Sequence, residues 1–313
     1  MGDRMRTFAL ILGLVAFAFA ACSSSKTQVT PEESGRYGSG VDLDALEGEK
    51  TAPPTQAAAA EGGQAAPAAP AATDASGNVR PSSDYNLAAD KEGVGRNAYV
   101  YLRGARYKKL VFEITAVSGW QPDPGSLNLL KARIQGVLDK PDGIEFAPVR
   151  TITASKQKYT KEDFINLEER HRTRFSGTTG GTAVIHMLVL NGEADRPLLG
   201  EAYRASSIVI MSERIRQLTT PLVTRPQIEG AVLVHEVGHI LRLVNIGYKS
   251  PRDHADRNSP NHSKNVNSVM YYGVEGGDVF SDIFNGPPPN NFDADDLADL
   301  ADLKAGRLGP QSG

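Results

Sequence analysis

In 313 residues the chain has a single cysteine, Cys22, so no intramolecular disulfide can staple it. It has no excess of positive charge. Its 34 Lys and Arg against 37 Asp and Glu give a net charge of -3, without the basic field that a nucleic-acid partner requires. No apolar run is long enough to span a bilayer, and no internal repeat marks a solenoid or an array. A content of 40% hydrophobic and 23% charged residues suits a soluble globular domain, for which a monomer is the expectation.

What is present begins with an export signal. Arg4 and Arg6 precede FALILGLVAFAFA, which is too short and too soon followed by small residues for a spanning helix. The run ends in FAAC, which resembles the lipobox of bacterial lipoproteins, although Phe19 stands where leucine is usual. The resemblance implies a signal peptide over 1–21, a lipidated Cys22 as mature N-terminus, and anchoring in the bacterial cell envelope. Ser23, in place of an aspartate, points to the outer membrane by analogy with enteric lipoproteins. Residues 22–95 are rich in Ala, Pro, Gly, Ser and Thr and almost devoid of large apolar side chains. Such a stretch cannot offset its ordering entropy by burial, so it reads as a disordered tether. As a flexible coil of about 70 residues it would reach roughly 45 Å from end to end.

A folded domain is expected over 96–305, with a flexible tail at 306–313. YKKLVFEITAVSG reads as a strand, PGSLNLLKARIQGVLDK as a helix opening at Pro124, and IEFAPVRTI as a second strand. KEDFINLEER is a helix candidate and TAVIHMLVL a buried strand. SSIVIM is another strand, and it or the polar LLGEAYRA before it should lie at a sheet edge. Thr224 with Gln227 forms a plausible capping box, and Pro226 fits the first turn of the helix that follows. IEGAVLVHEVGHILRLV is apolar nearly all round, as a buried helix is. FDADDLADLADLK, with Asp293 as N-cap, closes the domain as a last helix.

The polar exceptions in the buried helix need a reason. His235 and His239 are four apart, so one turn places both imidazoles on one face, within reach of one Zn2+. Glu236 can then take a proton from the water whose pKa the metal lowers. Without a metal, a charged glutamate buried beside two histidines would be hard to justify. His186 reads as structural, His171 as an exposed residue.

The residues HEVGH, followed downstream by SVMY, resemble the metzincin zinc endopeptidases, which carry HExxHxxGxxH and a methionine turn beneath the metal. Arg242 stands at the glycine position and Asn245 at the third-ligand position. His262 lies eight residues before Met270, the separation at which matrixins and archaemetzincins place their third zinc ligand. Ser263 and Ser268 fall where archaemetzincins have a cysteine pair. The resemblance therefore implies His235, His239 and His262 as ligands, Met270 as the turn methionine, and an insertion, residues 246–261, before the third ligand. His254 is the alternative third ligand, with Asn245 and Asp256 chemically possible. Asn245 and Gly247 would end the helix in left-handed conformation, leaving Arg242 no part in the turn and free to pair with Asp256 or Glu275. Asp253, Asp256 and Asn258 do not have EF-hand spacing and read as a solvated loop.

The fold this implies is α+β with an α/β-like upper part, in which a mostly parallel twisted sheet is backed by a long active-site helix and followed by an irregular C-terminal subdomain. The implied activity is hydrolysis of a peptide or protein substrate, with Glu236 as general base, Tyr271 or Tyr272 lining the pocket, and the substrate pairing with the edge strand near SSIVIM. Two other readings compete: a non-catalytic surface lipoprotein using the fold as a binding module, and a zinc-dependent hydrolase of cell-wall material. With no second cysteine, a cysteine-based latency device is excluded from the domain.

Overall fold

The computed structural model describes residues 93–153, 156–178, 180–276 and 286–308, all within the compact unit Ala65–Gly313. The signal peptide, Cys22, the tether as far as residue 92 and residues 309–313 of the expected tail lie outside the described residues. In chain order the elements are α1 (Ala98–Leu102), β1 (Lys109–Val117), α2 (Pro124–Ile134), β2 (Ile144–Phe146), β3 (Arg150–Ile152), β4 (Lys158–Tyr159), α3 (Lys161–His171), β5 (Thr182–Leu190), β6 (Glu193–Ala194), β7 (Gly200–Arg204), β8 (Ser207–Met211), α4 (Ser212–Gln217), α5 (Arg225–Ile240) and α6 (Ala294–Ala305). A 3-10 turn, Tyr272–Val274, stands between α5 and α6.

KLVFEITAV and TAVIHMLVL are buried at every position but the first, the pattern of strands covered on both faces. They form β1 and β5, paired in parallel at the centre of a sheet ordered β2-β1-β5-β8-β7. β2, β3 and β5 run parallel to β1, and β8 runs parallel to β5; only β7 is antiparallel to its neighbour β8. The chain is thus a mixed α/β fold with a mostly parallel sheet. Residues alternate across it. Ile185, Met187, Ile208 and Ile210 belong to a core shared with α2 and α5, whereas Leu188, Leu190, Val209 and Met211 meet Phe164 and Leu167 of α3 in a second core. No helix among the described residues is long and apolar enough to cross a membrane.

One expectation needs correction and one alternative is resolved. IEFAPVRTI is not one strand: Ala147, Pro148 and Val149 separate β2 from β3, and proline has no N–H to give a ladder. The edge question is settled by strand pairing. GEAYR of the polar approach forms edge strand β7, and SIVIM lies inside it as β8, between β5 and β7.

α5 packs against α2 and against β7 and β8. Its start is held as the sequence predicts, with Thr224 N–H donating to Gln227 Oε1 at 2.8 Å and Pro226 in the first turn. Glu229, fully buried, ties it to the start of α2 by accepting from Asp123 N–H at 2.7 Å and pairing with Arg225. The two helices approach closely at Gly230, where a Cβ would stand 2.5 Å from Leu129 Cδ2 and 3.2 Å from its Cβ and Cγ. Gly230→Leu is expected to destabilise the domain by about 1–3 kcal/mol through overpacking. A urea midpoint equal to that of the wild type would show that the helices have room to spare.

Candidate metal site

Every residue of α5 from Ile228 to Ile240 is buried, including His235, Glu236 and His239. A helix end buried this deep must satisfy its last carbonyls, and it does so by a Schellman arrangement. Leu243 N–H donates to Gly238 O at 3.0 Å and Arg242 N–H to His239 O at 2.9 Å. Arg242 is the left-handed residue of that motif, at φ 76°. This corrects the sequence reading on two counts. Arg242 does turn the chain, at the position where the metzincin pattern has glycine, and α5 ends before the residues expected to end it. Asn245 and Gly247 are left-handed as expected, at φ 68° and 70°, but in the loop beyond. Arg242 does not pair with Asp256 or Glu275. Its Nε donates to Ile246 O at 3.0 Å and its Nη2 to Gly247 O at 2.7 Å. A left-handed L-residue costs about 1–2 kcal/mol, and these two charge-assisted bonds offset a penalty of that size.

The inserted segment then folds back on itself. Ala255 bridges Ser263 antiparallel, with Asp256 N–H on His262 O and Lys264 N–H on His254 O, both at 2.8 Å. Ser263 N–H in turn donates to Met270 O at 2.8 Å. His262 is thereby brought to His235 and His239, with ring centroids 5.2 and 5.1 Å away, while those two lie 4.6 Å apart.

Backbone carbonyls set the protonation of two rings. His235 Nδ1 lies 2.6 Å from Val269 O and His262 Nδ1 3.0 Å from Pro260 O. A carbonyl only accepts, so each neutral ring carries its proton on Nδ1 and presents a bare Nε2. His239 Nε2 stands 3.0 Å from His235 Nε2. Ligand atoms of His235, His239, His262 and Glu275 all lie within 4.8 Å of one another. Two nitrogens bound at about 2.0–2.1 Å to one tetrahedral ion would be roughly 3.3 Å apart, so the arrangement fits a metal of zinc's size. His262 Nε2 and Glu236 Oε1 are buried with no hydrogen bond. Converging acceptors without a donor are unfavourable unless a cation lies among them.

Burial, and then the neighbouring His235 and His262, hold the His239 pKa well below the ordinary imidazole range. Burial, reinforced by the charge of Glu275, pushes the Glu236 carboxyl well above its ordinary range. Glu275 moves the other way: burial would raise it, but His235 and His262 beside it hold it well below. Glu236 Oε2 accepts from Ala202 N–H of β7 at 2.6 Å. Gly200 makes that approach possible, because a Cβ there would stand 2.6 Å from Val232 Cγ1 and 3.0 Å from Glu236 Oε1.

Met270 lies against Gly238, whose Cβ, if it had one, would run into the Met270 sulfur. The residue between the two halves of HExxH is thus kept small by the thioether packed on it. Tyr271 N–H closes a turn onto Ser268 O at 3.1 Å, and Val269 in that turn supplies the carbonyl for His235. Tyr271 and Tyr272 are half-buried, with ring centroids 4.7 Å apart.

His254, the alternative ligand, is placed elsewhere. It is buried against α6, with Nε2 3.0 Å from Asp299 Oδ2 and Nδ1 3.5 Å from Asp296 Oδ1. Burial alone would lower its pKa, but the two carboxylates outweigh it and raise it to about 10. Asp299 also accepts from Tyr248, Ser250 and Arg252. His186 is buried and bonded to Thr115 at 3.0 Å, and burial lowers its pKa to about 4. Asp253 pairs with Lys264, and Asp256 accepts from Asn258 N–H, as solvated loop residues do. Sequence reasoning missed Glu275 as a member of the histidine cluster, and Asp296 and Asp299 as the partners of His254. The acidic pair three apart on one face of a helix was the available signal for the latter; Glu275, in an irregular loop, had none.

No protein-family model matches the chain, and no curated protein does. Among solved structures it is similar to the crystal structure of archaemetzincin from Methanopyrus kandleri, with 14% identity over 62% of this chain and 94% of that one and a TM-score of 0.41.

His262→Ala is expected to abolish stoichiometric zinc binding, whereas His254→Ala retains zinc and loses about 3–5 kcal/mol of stability, because it strands buried carboxylates. Equilibrium dialysis and urea unfolding separate the two, and zinc lost from the His254 variant alone would reverse the assignment. The His254 pKa is raised from 6.5 to about 10, so its contribution is complete below pH 6.5 and vanishes as pH rises through 10. The stability gap between wild type and His254→Gln should narrow over that window, by at most about 1.4 kcal/mol per pH unit for one proton.

Proposed function

We propose that the chain is a zinc-dependent endopeptidase, anchored to the bacterial cell envelope through a lipidated Cys22. The observation that carries the catalytic part is the convergence of three imidazole Nε2 atoms beside a buried glutamate with one unpartnered oxygen. His235, His239 and His262 would hold the ion, and a three-imidazole set suits Zn2+. When bound, zinc supplies Lewis acidity that lowers the pKa of a water molecule and polarises a peptide carbonyl.

The remaining work belongs to the protein. Val269 O and Pro260 O fix the tautomers of His235 and His262, so that neither ring has to turn or exchange a proton before it can act as a ligand. Met270 and the buried stretch of α5 from Ile228 to Ile240 exclude water from behind the rings. Ala202 N–H orients the Glu236 carboxylate through Oε2, leaving Oε1 to take a proton from the attacking water and deliver it to the leaving amine. The carboxyl's raised affinity for protons in this dry setting suits a group that must pick one up and release it within one turnover. A non-catalytic zinc scaffold would have no use for Glu236, and a buried carboxylate without a use is selected against by its desolvation.

Glu236→Gln is expected to keep zinc and lower kcat/KM on a mixed peptide library by about 100- to 10,000-fold, the range of a lost general base. Cleavage at the wild-type rate by this variant would remove Glu236 from the mechanism. For the anchor, metabolic labelling with a fatty-acid analogue should mark the wild type and not Cys22→Ala; equal labelling of both would refute a lipid on Cys22.

A further inference from the structure

Catalytic zinc sites keep one position open, while structural sites are closed by four protein ligands. The histidine cluster is not open. Glu275 Oε1 lies 3.3 Å from His262 Nε2 and Oε2 3.6 Å from His235 Nε2, so one carboxylate faces two of the three bare nitrogens. Glu275 follows the turn Tyr272–Val274, which is separated from Met270 only by Tyr271 and buries Val274 in the core. Glu275 and Gly276 N–H both donate to Tyr272 O, at 3.3 and 3.2 Å.

The same two residues occupy a second place. Leu199 N–H donates to Glu275 O at 2.8 Å, and Leu198 bridges Gly276 antiparallel. Leu198 and Leu199 lead straight into edge strand β7, whose Ala202 N–H is engaged by Glu236. An extended peptide that adds to a sheet edge needs such main-chain donors. Here the Leu199 donor, at the entrance to that edge strand, is bonded to the chain's own residue 275.

We propose that Glu275 is the fourth protein ligand of this metal site, and that residues 275 and 276, by holding both that position and the adjoining sheet edge, keep the resting protein closed until an extended peptide displaces them. The inference rests on the peptidase reading. It gives latency a physical basis in a domain without a cysteine to provide it. The three histidines are fixed by a buried helix and by backbone carbonyls, whereas Glu275 is partly exposed on a turn, so it is the ligand that can leave. The ligand it yields to is an extended peptide, because only main chain replaces both contacts at once.

The test uses the full chain with Glu275→Ala and Glu275→Gln, the glutamine variant retaining the side-chain volume and the edge contact. Zinc affinity is measured by competition with a chromogenic chelator, and acetohydroxamate affinity is read from the visible absorption of the cobalt-loaded proteins. Both variants should bind zinc at least tenfold more weakly than wild type, bind acetohydroxamate at least tenfold more tightly at equal metal loading, and cleave peptides faster. Zinc and acetohydroxamate affinities equal to wild type, with zinc lost from His262→Ala, would overturn the proposal and leave the peptidase reading intact. Weakened zinc binding with acetohydroxamate excluded and no peptide cleaved by any variant would overturn displacement and the peptidase reading together, leaving Glu275 as a ligand of a permanently closed structural site.

Discussion

Three imidazole nitrogens and two carboxylates meet in a place from which water is largely excluded, and the rest of the domain is arranged around the demand this creates. Acceptors without donors repel one another in a low-dielectric interior, so the cluster is tolerable only with a cation and with its members held in place. Val269 O holds His235, Pro260 O holds His262, and Ala202 N–H holds Glu236. These supports come from three different parts of the chain, which is why the irregular residues between α5 and Met270 must be placed as accurately as the helix itself.

That accuracy has a mechanical source in α6. Asp296 accepts from Ser268 Oγ at 2.5 Å, at the start of the turn that carries Val269 and Met270, and it also faces His254 of the insertion. Asp299 collects Tyr248, Ser250, Arg252 and His254. The insertion and the methionine turn are thus referred to one helix, and Ser263 on Met270 O closes the loop between them. Ser263 keeps His262 in register with Met270 through its backbone N–H, whereas Ser268 uses its hydroxyl, which donates to Asp296 and accepts from Met270 N–H.

Most of the sheet was legible because its strands are long, apolar and bounded by glycine or polar turns; TAVIHMLVL and KLVFEITAV admit little else. The capping box at Thr224 and the capping aspartate at Asp293 were legible for the same local reason. The eight-residue separation of His262 from Met270 could be read because both sit in one short segment. What sequence could not supply was any contact made across the irregular region. His254 and His262 are the same residue type, ranked in the sequence only by distance to Met270; in the structure α6 presents two carboxylates to His254, while His262 meets His235 and His239. Glu275 came to attention in the sequence only as a partner for Arg242, since nothing local distinguishes a carboxylate that faces a guanidinium from one that faces a histidine cluster.

Arg242 shows why a missing glycine is weak grounds for rejecting a site. What the chain needs after His239 is a left-handed residue, and glycine is the cheapest way to supply one. An arginine can stand there if its side chain returns a comparable free energy, and this one does so by capping the carbonyls of Ile246 and Gly247, the first residues of the insertion. The substitution and the insertion are therefore linked. With His262 seventeen residues beyond Asn245, the chain leaving α5 has to be turned and then launched into a long excursion. Glycine can do only the first of these; the guanidinium does both.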